Sequence, residues 1–202
     1  MDYRVMHIPI RPDRRPGVKA KMTSITIHNT ANPRSTAINE RNWLVNPSNK
    51  RIASWHIAVD DNIAVEAIPL DEVAYHAGTT AGNQTSIGIE VCESGDQVKT
   101  WNNAVKLVAK MLHDRGWTTE RVRTHKSWSG KNCPRLILPR WREFILDISK
   151  EMVGMEKAST WAIQAQKWVV KEKLSDGKRP RDSVTREEMW VMLNRLYNLL
   201  SK

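Results

Sequence analysis

The sequence predicts an α/β fold: a central mixed β-sheet flanked by helices, with a small C-terminal helical hairpin. Three observations carry that expectation. Short runs rich in β-branched residues, at 23–27, 86–91 and 121–124, alternate with segments of helical spacing. An Asp60-Asp61-Asn62 turn joins two further strand-like runs into a hairpin. Beyond Met155 only helical periodicity remains. A chain of 202 residues can bury one full-sized core and a second small one, so a first domain over 1–153 and a small helical module over 158–202 are expected.

Residues 23–27 alternate polar with β-branched side chains and run into His28, a strand that presents His28 at its C-terminal end. Residues 36–45 suit a helix with Ile38, Asn39, Trp43 and Leu44 toward one side, stopped by Asn46-Pro47-Ser48. Residues 53–59 and 63–68 read as the hairpin strands. Residues 78–83 read as a polar loop. Residues 86–91 form a short apolar strand interrupted by Glu90, and a carboxylate in such a strand needs a reason. A helix over 104–114, apolar at Val105, Leu107, Val108, Met111 and Leu112, stops at Arg115-Gly116. A strand over 121–124 leads into His125, 127–134 is a loop, and a helix over 138–152 closes the domain. In the tail, Trp161, Ala165, Trp168 and Val169 mark one amphipathic helix. Thr185-Arg186-Glu187-Glu188 is a capping box opening another, with Met189, Met192, Leu193, Leu196, Tyr197 and Leu200 along its stripe and a Ser175-Asp176-Gly177 turn before it.

A net charge of +10 and a pI near 9.8 favour an anionic partner without choosing among nucleic acid, membrane surface and cell wall. The basic residues are densest at 11–15 and 178–181, too short and irregular for a nucleic-acid-binding arm. No apolar run has the roughly eighteen residues a membrane span needs. The N-terminus, with Asp2 and Arg4 near its start, lacks the apolar segment and cleavage site of a secretory signal, so synthesis in the cytoplasm is expected. Cys92 and Cys133 cannot make a disulfide framework, which leaves free thiols or metal ligation. Nine Trp against one Phe is an unusual aromatic choice that decides nothing alone.

His28, His125 and Cys133 fall at strand ends or in the adjoining loop. Two imidazoles and a thiolate suit zinc, and three protein ligands leave the fourth position open, as hydrolytic sites require. Cys92, two positions beyond Glu90 on the same side of the strand, is the substitute ligand if Cys133 is not used. Glu90 can serve as a base beside such a site and Lys131 can steady an oxyanion. Taken singly, a lone His is more often a packing residue and a lone Cys core, while Glu90 reads equally as a buried ion-pair partner and Lys131 as a solvated loop charge.

The runs Ile25-Thr26-Ile27-His28-Asn29-Thr30, Ser54-Trp55-His56-Ile57, Tyr75-His76-Ala77-Gly78, Asn83 with Ser86-Ile87-Gly88-Ile89-Glu90, and Thr124-His125 with Lys131-Asn132-Cys133-Pro134 together change those odds. In order and content they resemble the type 2 N-acetylmuramoyl-L-alanine amidases, over roughly residues 20–145. The resemblance implies a mixed sheet with Zn2+ in a surface cleft, held by His28, His125 and Cys133. It implies Glu90 as general base and Lys131 as the oxyanion-stabilising or acid group. Trp55, His56, His76 and Asn83 match positions that contact substrate or shape the cleft. Where several relatives carry a Tyr this chain has Trp55, which has no phenolic proton to give.

The implied reaction is hydrolysis of the amide between N-acetylmuramic acid and L-alanine in bacterial peptidoglycan, at the wall after release from the host cell. The alternative is a non-catalytic peptidoglycan-binding module, against which Cys133 and Glu90 argue. Nucleic acid is not an expected partner; anionic wall polymers are compatible with the charge. In the tail, Trp161-Ala162, Leu174-Ser175-Asp176-Gly177 and Val184-Thr185-Arg186-Glu187-Glu188 resemble a single S-layer-homology-type repeat. That implies wall binding, with homo-oligomer formation through this module as the alternative.

Overall fold

The computed structural model describes residues 1–178, 180 and 182–201. Arg179 and Arg181 of the basic cluster at 178–181 lie outside the described residues. The described chain divides into two compact units, Met1–Ser149 and Lys150–Lys202.

The first unit is a six-stranded mixed sheet. Its strands are β1 (Asp2–Val5), β2 (Ser24–Asn29), β3 (Ile57–Val59), β4 (Ile63–Glu66), β5 (Ser86–Val91) and β6 (Val122–Thr124), in spatial order β1-β4-β3-β5-β2-β6. The β3–β4 hairpin is antiparallel and every other pairing is parallel. Crossovers between parallel strands are supplied by the helices α1 (Ala37–Val45) and α3 (Gln97–Asp114), α2 (Thr80–Thr85) lies between β4 and β5, and α4 (Lys126–Ser129) and α5 (Trp141–Glu156) follow β6.

Every residue of β2 is buried, so both of its faces are covered. Alternation divides those faces by chemistry. Ile25 and Ile27 lie level with Ile87 and Ile89 of β5, giving one apolar face; α3 packs on β3 and β5. The other face carries Ser24, Thr26 and His28 level with Ser86, Gly88 and Glu90. A polar, small-residue face inside a sheet is costly unless it is used. Because β2, β5 and β6 run parallel, their C-terminal ends bring His28, Glu90 and the residue after Thr124 to one edge.

Several expected elements are moved. Residues 53–56 are not strand: Ser54 exchanges bonds with Tyr75, and Trp55 enters an apolar cluster with Ile8, Leu44 and Ala58. Part of the 78–83 loop is α2, whose N-cap Thr79 accepts from Gly82 N–H. α3 begins seven residues before Ala104, because Asp96 caps it by accepting from Val98 and Lys99. The loop at 127–134 opens inside α4, which ends at left-handed Gly130, φ 77°. A 3-10 turn, Leu138–Arg140, precedes α5. β1 was not expected, since Asp2–Val5 is exposed throughout and shows no apolar alternation. In α1 the buried residues are Ala37, Glu40 and Leu44, while Trp43 is exposed.

The second unit holds α6 (Ile163–Lys171) and α7 (Arg186–Leu200). Thr185 and Glu188 form the expected capping box reciprocally. Gln166 Nε2 donates to the Gly177 carbonyl at 2.6 Å and Arg195 Nη1 to the Leu174 carbonyl at 3.1 Å. Among the described residues no helix is long and apolar enough to cross a membrane.

Candidate metal centre and cleft

His28, near the C-terminal end of β2 on its polar face, His125, directly after β6, and Cys133 converge with their ligand atoms within 4.8 Å of one another. All three are buried. The Cys133 loop is closed by the Lys126 N–H donating to the Cys133 carbonyl at 3.0 Å. Cys133 Sγ lies 3.7 Å from His28 Nδ1. Two ligands bound to one tetrahedral ion at ordinary Zn–S and Zn–N lengths stand roughly 3.6 Å apart, so this spacing fits two donors to one ion as well as the thiol–imidazole hydrogen bond that joins them.

The electrostatics agree. Burial holds His28 well below the usual imidazole range, reinforced by His76, His125 and Lys131. His125 is lowered by burial and then by Lys131. Both rings are therefore neutral and keep a lone pair for a cation. Burial pushes the Cys133 thiol up to about 11, so a thiolate there calls for a positive partner. His125 Nδ1 is buried with no hydrogen-bond partner among the described residues, and so is Glu90 Oε2. An unpartnered ring nitrogen within the His, His and Cys group and an unpartnered carboxylate oxygen next to it fit a metal and a reacting proton better than they fit a packed core.

Glu90 lies level with His28 on the neighbouring strand. Its carboxyl is raised to about 8, first by burial and then by the charge of Glu40, with Lys131 opposing and Glu93 adding. That is the range of a base working near neutrality. His28, His76, Glu90, His125, Lys131, Cys133 and Trp55 all line one cleft of about 970 Å³. Trp55 is only 9% exposed, and its buried Nε1 has no partner among the described residues.

Two expected site residues are not on the cleft. His56 is fully buried with both nitrogens occupied: Nδ1 accepts from Gly88 N–H at 2.9 Å and Nε2 bonds the Glu72 carbonyl at 2.8 Å. Asn83 Oδ1 accepts from the backbone N–H of His76 and Ala77, at 3.0 and 2.8 Å. Cys92, the substitute ligand, is fully buried in the apolar cluster around Trp55 and Leu44, outside the His28, His125 and Cys133 group.

Sequence reasoning missed Glu40, Glu93 and Asn29. Glu93 is buried, holds Arg135 through both oxygens, and accepts from Ala31 N–H, whose φ is 52°. Asn29 Oδ1 accepts from Leu136 N–H at 3.0 Å. These bonds tie the loop after Cys133 to the end of β2. The available signals were the i, i+3, i+7 spacing of Ala37, Glu40 and Leu44, and a second acid three residues after Glu90.

A family model described as N-acetylmuramoyl-L-alanine amidase matches residues 18–136. Among curated proteins, the amidase CwlH of Bacillus subtilis is 40% identical over 149 residues, covering 70% of this chain and 59% of that protein. The amidase XlyB of the same organism is 39% identical over 150 residues, covering 70% and 46%. The chain thus spans about half the length of the curated relatives it matches. Among solved structures, the catalytic domain of XlyA superposes with TM-score 0.69 at 37% identity, covering 73% of this chain and 99% of that one. A mutant endolysin from Bacillus subtilis gives TM-score 0.69 at 36% identity, with the same coverage.

Proposed function

The chain belongs to the N-acetylmuramoyl-L-alanine amidase family, and from that premise we propose that it hydrolyses the amide joining N-acetylmuramic acid to L-alanine in bacterial peptidoglycan. The observation that carries this reading is the meeting of His28, His125 and Cys133 beside the unpaired Glu90 oxygen in one cleft. Two imidazoles and a thiolate suit zinc among the common divalent ions. Bound there, Zn2+ supplies Lewis acidity toward the amide carbonyl and makes water a usable nucleophile at neutral pH.

The chain's own groups do the rest. Glu90 takes the proton of the attacking water and returns it to the alanine nitrogen as the C–N bond breaks, leaving a lactyl carboxylate and a free amine. Lys131, exposed on the cleft loop, donates to the developing oxyanion. Trp55, whose Nε1 is buried, supplies no acid proton. The endolysin among the relatives supports action at the wall after release from the producing cell.

Digestion of purified peptidoglycan tests the reading through the new ends. Free L-alanine amines are expected; new reducing sugars would mean a glycosidase, and binding without new ends a non-catalytic module.

For the second unit we propose a docking role, as a single S-layer-homology-type repeat. Its support is the exposure of Trp161, Trp168, Trp190, Leu193 and Tyr197. Light scattering on the full chain separates wall attachment, which leaves a monomer, from self-association, which does not.

A further inference from the structure

We infer that His76 is a positioning residue for the metal centre: its ring fixes the His28 imidazole with the proton on Nε2 and the Nδ1 lone pair turned toward Cys133. The inference rests on reading His28, His125 and Cys133 as the ligands.

The argument starts from an acceptor that cannot change role. The Ser86 carbonyl lies 2.8 Å from His76 Nε2, so that nitrogen carries the hydrogen. Burial disfavours a charged imidazole, and His76 is only 7% exposed. A neutral ring has one N–H, so His76 Nδ1 is an acceptor. It stands 3.1 Å from His28 Nε2, which must then donate. The remaining lone pair of His28 is on Nδ1, the atom 3.7 Å from Cys133 Sγ. A carbonyl on β5 therefore sets the tautomer of a ligand on β2 through one intervening ring. Hydrogen bonds of this kind orient metal-binding imidazoles and raise their basicity.

The surroundings of His76 are built around that one ring. Gly88 lies beneath it, and a Cβ at residue 88 would sit 2.5 Å from His76 Cγ, with Cδ2 and Nδ1 at 2.8 Å. Any side chain there displaces the ring. The Asn83 carboxamide accepts from two successive backbone N–H groups, at His76 and Ala77, and so fixes the segment carrying it. His28 meets the ring edge-on, centroids 5.2 Å apart and planes at 89°, which aims one nitrogen at the other. Glycine, asparagine and a buried carbonyl serving one imidazole are more than packing requires. The position expected to touch substrate is thus explained by its contact with a ligand.

The test begins on zinc-free protein labelled with 15N at histidine. Long-range nitrogen–proton correlation is expected to show His28 protonated at Nε2 and bare at Nδ1; a His28 proton on Nδ1 would overturn the inference. His76→Phe keeps a ring over Gly88 but removes both nitrogens. Zinc affinity, read by competition with a chromophoric chelator, is expected to fall about ten- to a hundred-fold. Gly88→Ala should weaken zinc in the same direction with His76 still present. Wild-type affinity in a folded His76→Phe protein would refute the role, and if that variant does not fold, the wild-type tautomer decides alone. A protein with the expected tautomer and zinc affinity that leaves peptidoglycan uncut supports this inference while overturning the amidase reading.

Discussion

His56 and His125 are both buried at the sheet, and burial does not rank one above the other. Their nitrogens differ. His56 gives both to backbone groups, Gly88 N–H and the Glu72 carbonyl, whereas His125 keeps Nδ1 without a partner among the described residues. His28 sides with His125, spending Nε2 on His76 and facing Nδ1 to Cys133. Burial therefore does not mark a ligand; an unspent lone pair in a buried place does. His56 is the fastener of β3 to β5, and His28 and His125 are what the fastened sheet presents.

The largest effect separates these groups outright. One zinc per chain is expected of the wild type, and His125→Ala or Cys133→Ser is expected to lose it and with it all measurable hydrolysis, since a three-ligand site has no spare. Elemental analysis of zinc per chain checks this, and chelation of the wild type should reproduce the loss. Zinc retained in Cys133→Ser would break the comparison at its root. Next in size is Glu90→Gln, which keeps shape but removes the base: turnover should fall roughly two to four orders of magnitude with zinc still bound. Unchanged turnover would make Glu90 structural.

That division explains what the sequence could and could not say. β2 and β5 were legible because alternation and β-branching survive in short strands. His28 at the end of β2 and His125 directly after β6 were legible for the same reason. The start of α3 was not legible: Asp96 caps it, but Gln97 to Asn103 shows little apolar spacing before Ala104. Cys133 is preferred to Cys92 only through the resemblance; the fold puts Cys92 among Leu44 and Trp55 and Cys133 beside His28. Adjacency to Trp55 and Tyr75 in the sequence does not reveal that His56 spends both ring nitrogens on backbone groups and that His76 reaches His28. Glu93 was missed because its partners, Ala31 and Arg135, are 62 and 42 residues away.

His56→Phe inverts the first pattern. Zinc stoichiometry should be unchanged, while two buried backbone groups lose their partners at about 1–3 kcal/mol each. Urea denaturation is expected to show a loss of roughly 2–6 kcal/mol. A variant as stable as the wild type but unable to hold zinc would move His56 to the metal side.

The smallest effect is the most specific, because it reads the charge state of His56 directly. Burial lowers this imidazole from 6.5 to about 4, outweighing the Glu72 carbonyl and the charges of Glu66 and Glu72 that would raise it. Below pH 6.5 the unfolded chain binds a proton at this position that the folded chain refuses until about pH 4. Stability from His56 is therefore complete above pH 6.5 and lost as pH falls toward about 4, at up to about 1.4 kcal/mol per pH unit and on the order of 3 kcal/mol in all. His56→Phe has no such proton to refuse. Measured in chelator, so that the ligands titrate alike in both proteins, the stability gap between wild type and variant should be widest at pH 7 and narrow steadily to pH 4. A gap that stayed constant across that range would mean that His56 is not held neutral by its burial, and that the contrast between the fastener and the ligands is one of geometry alone.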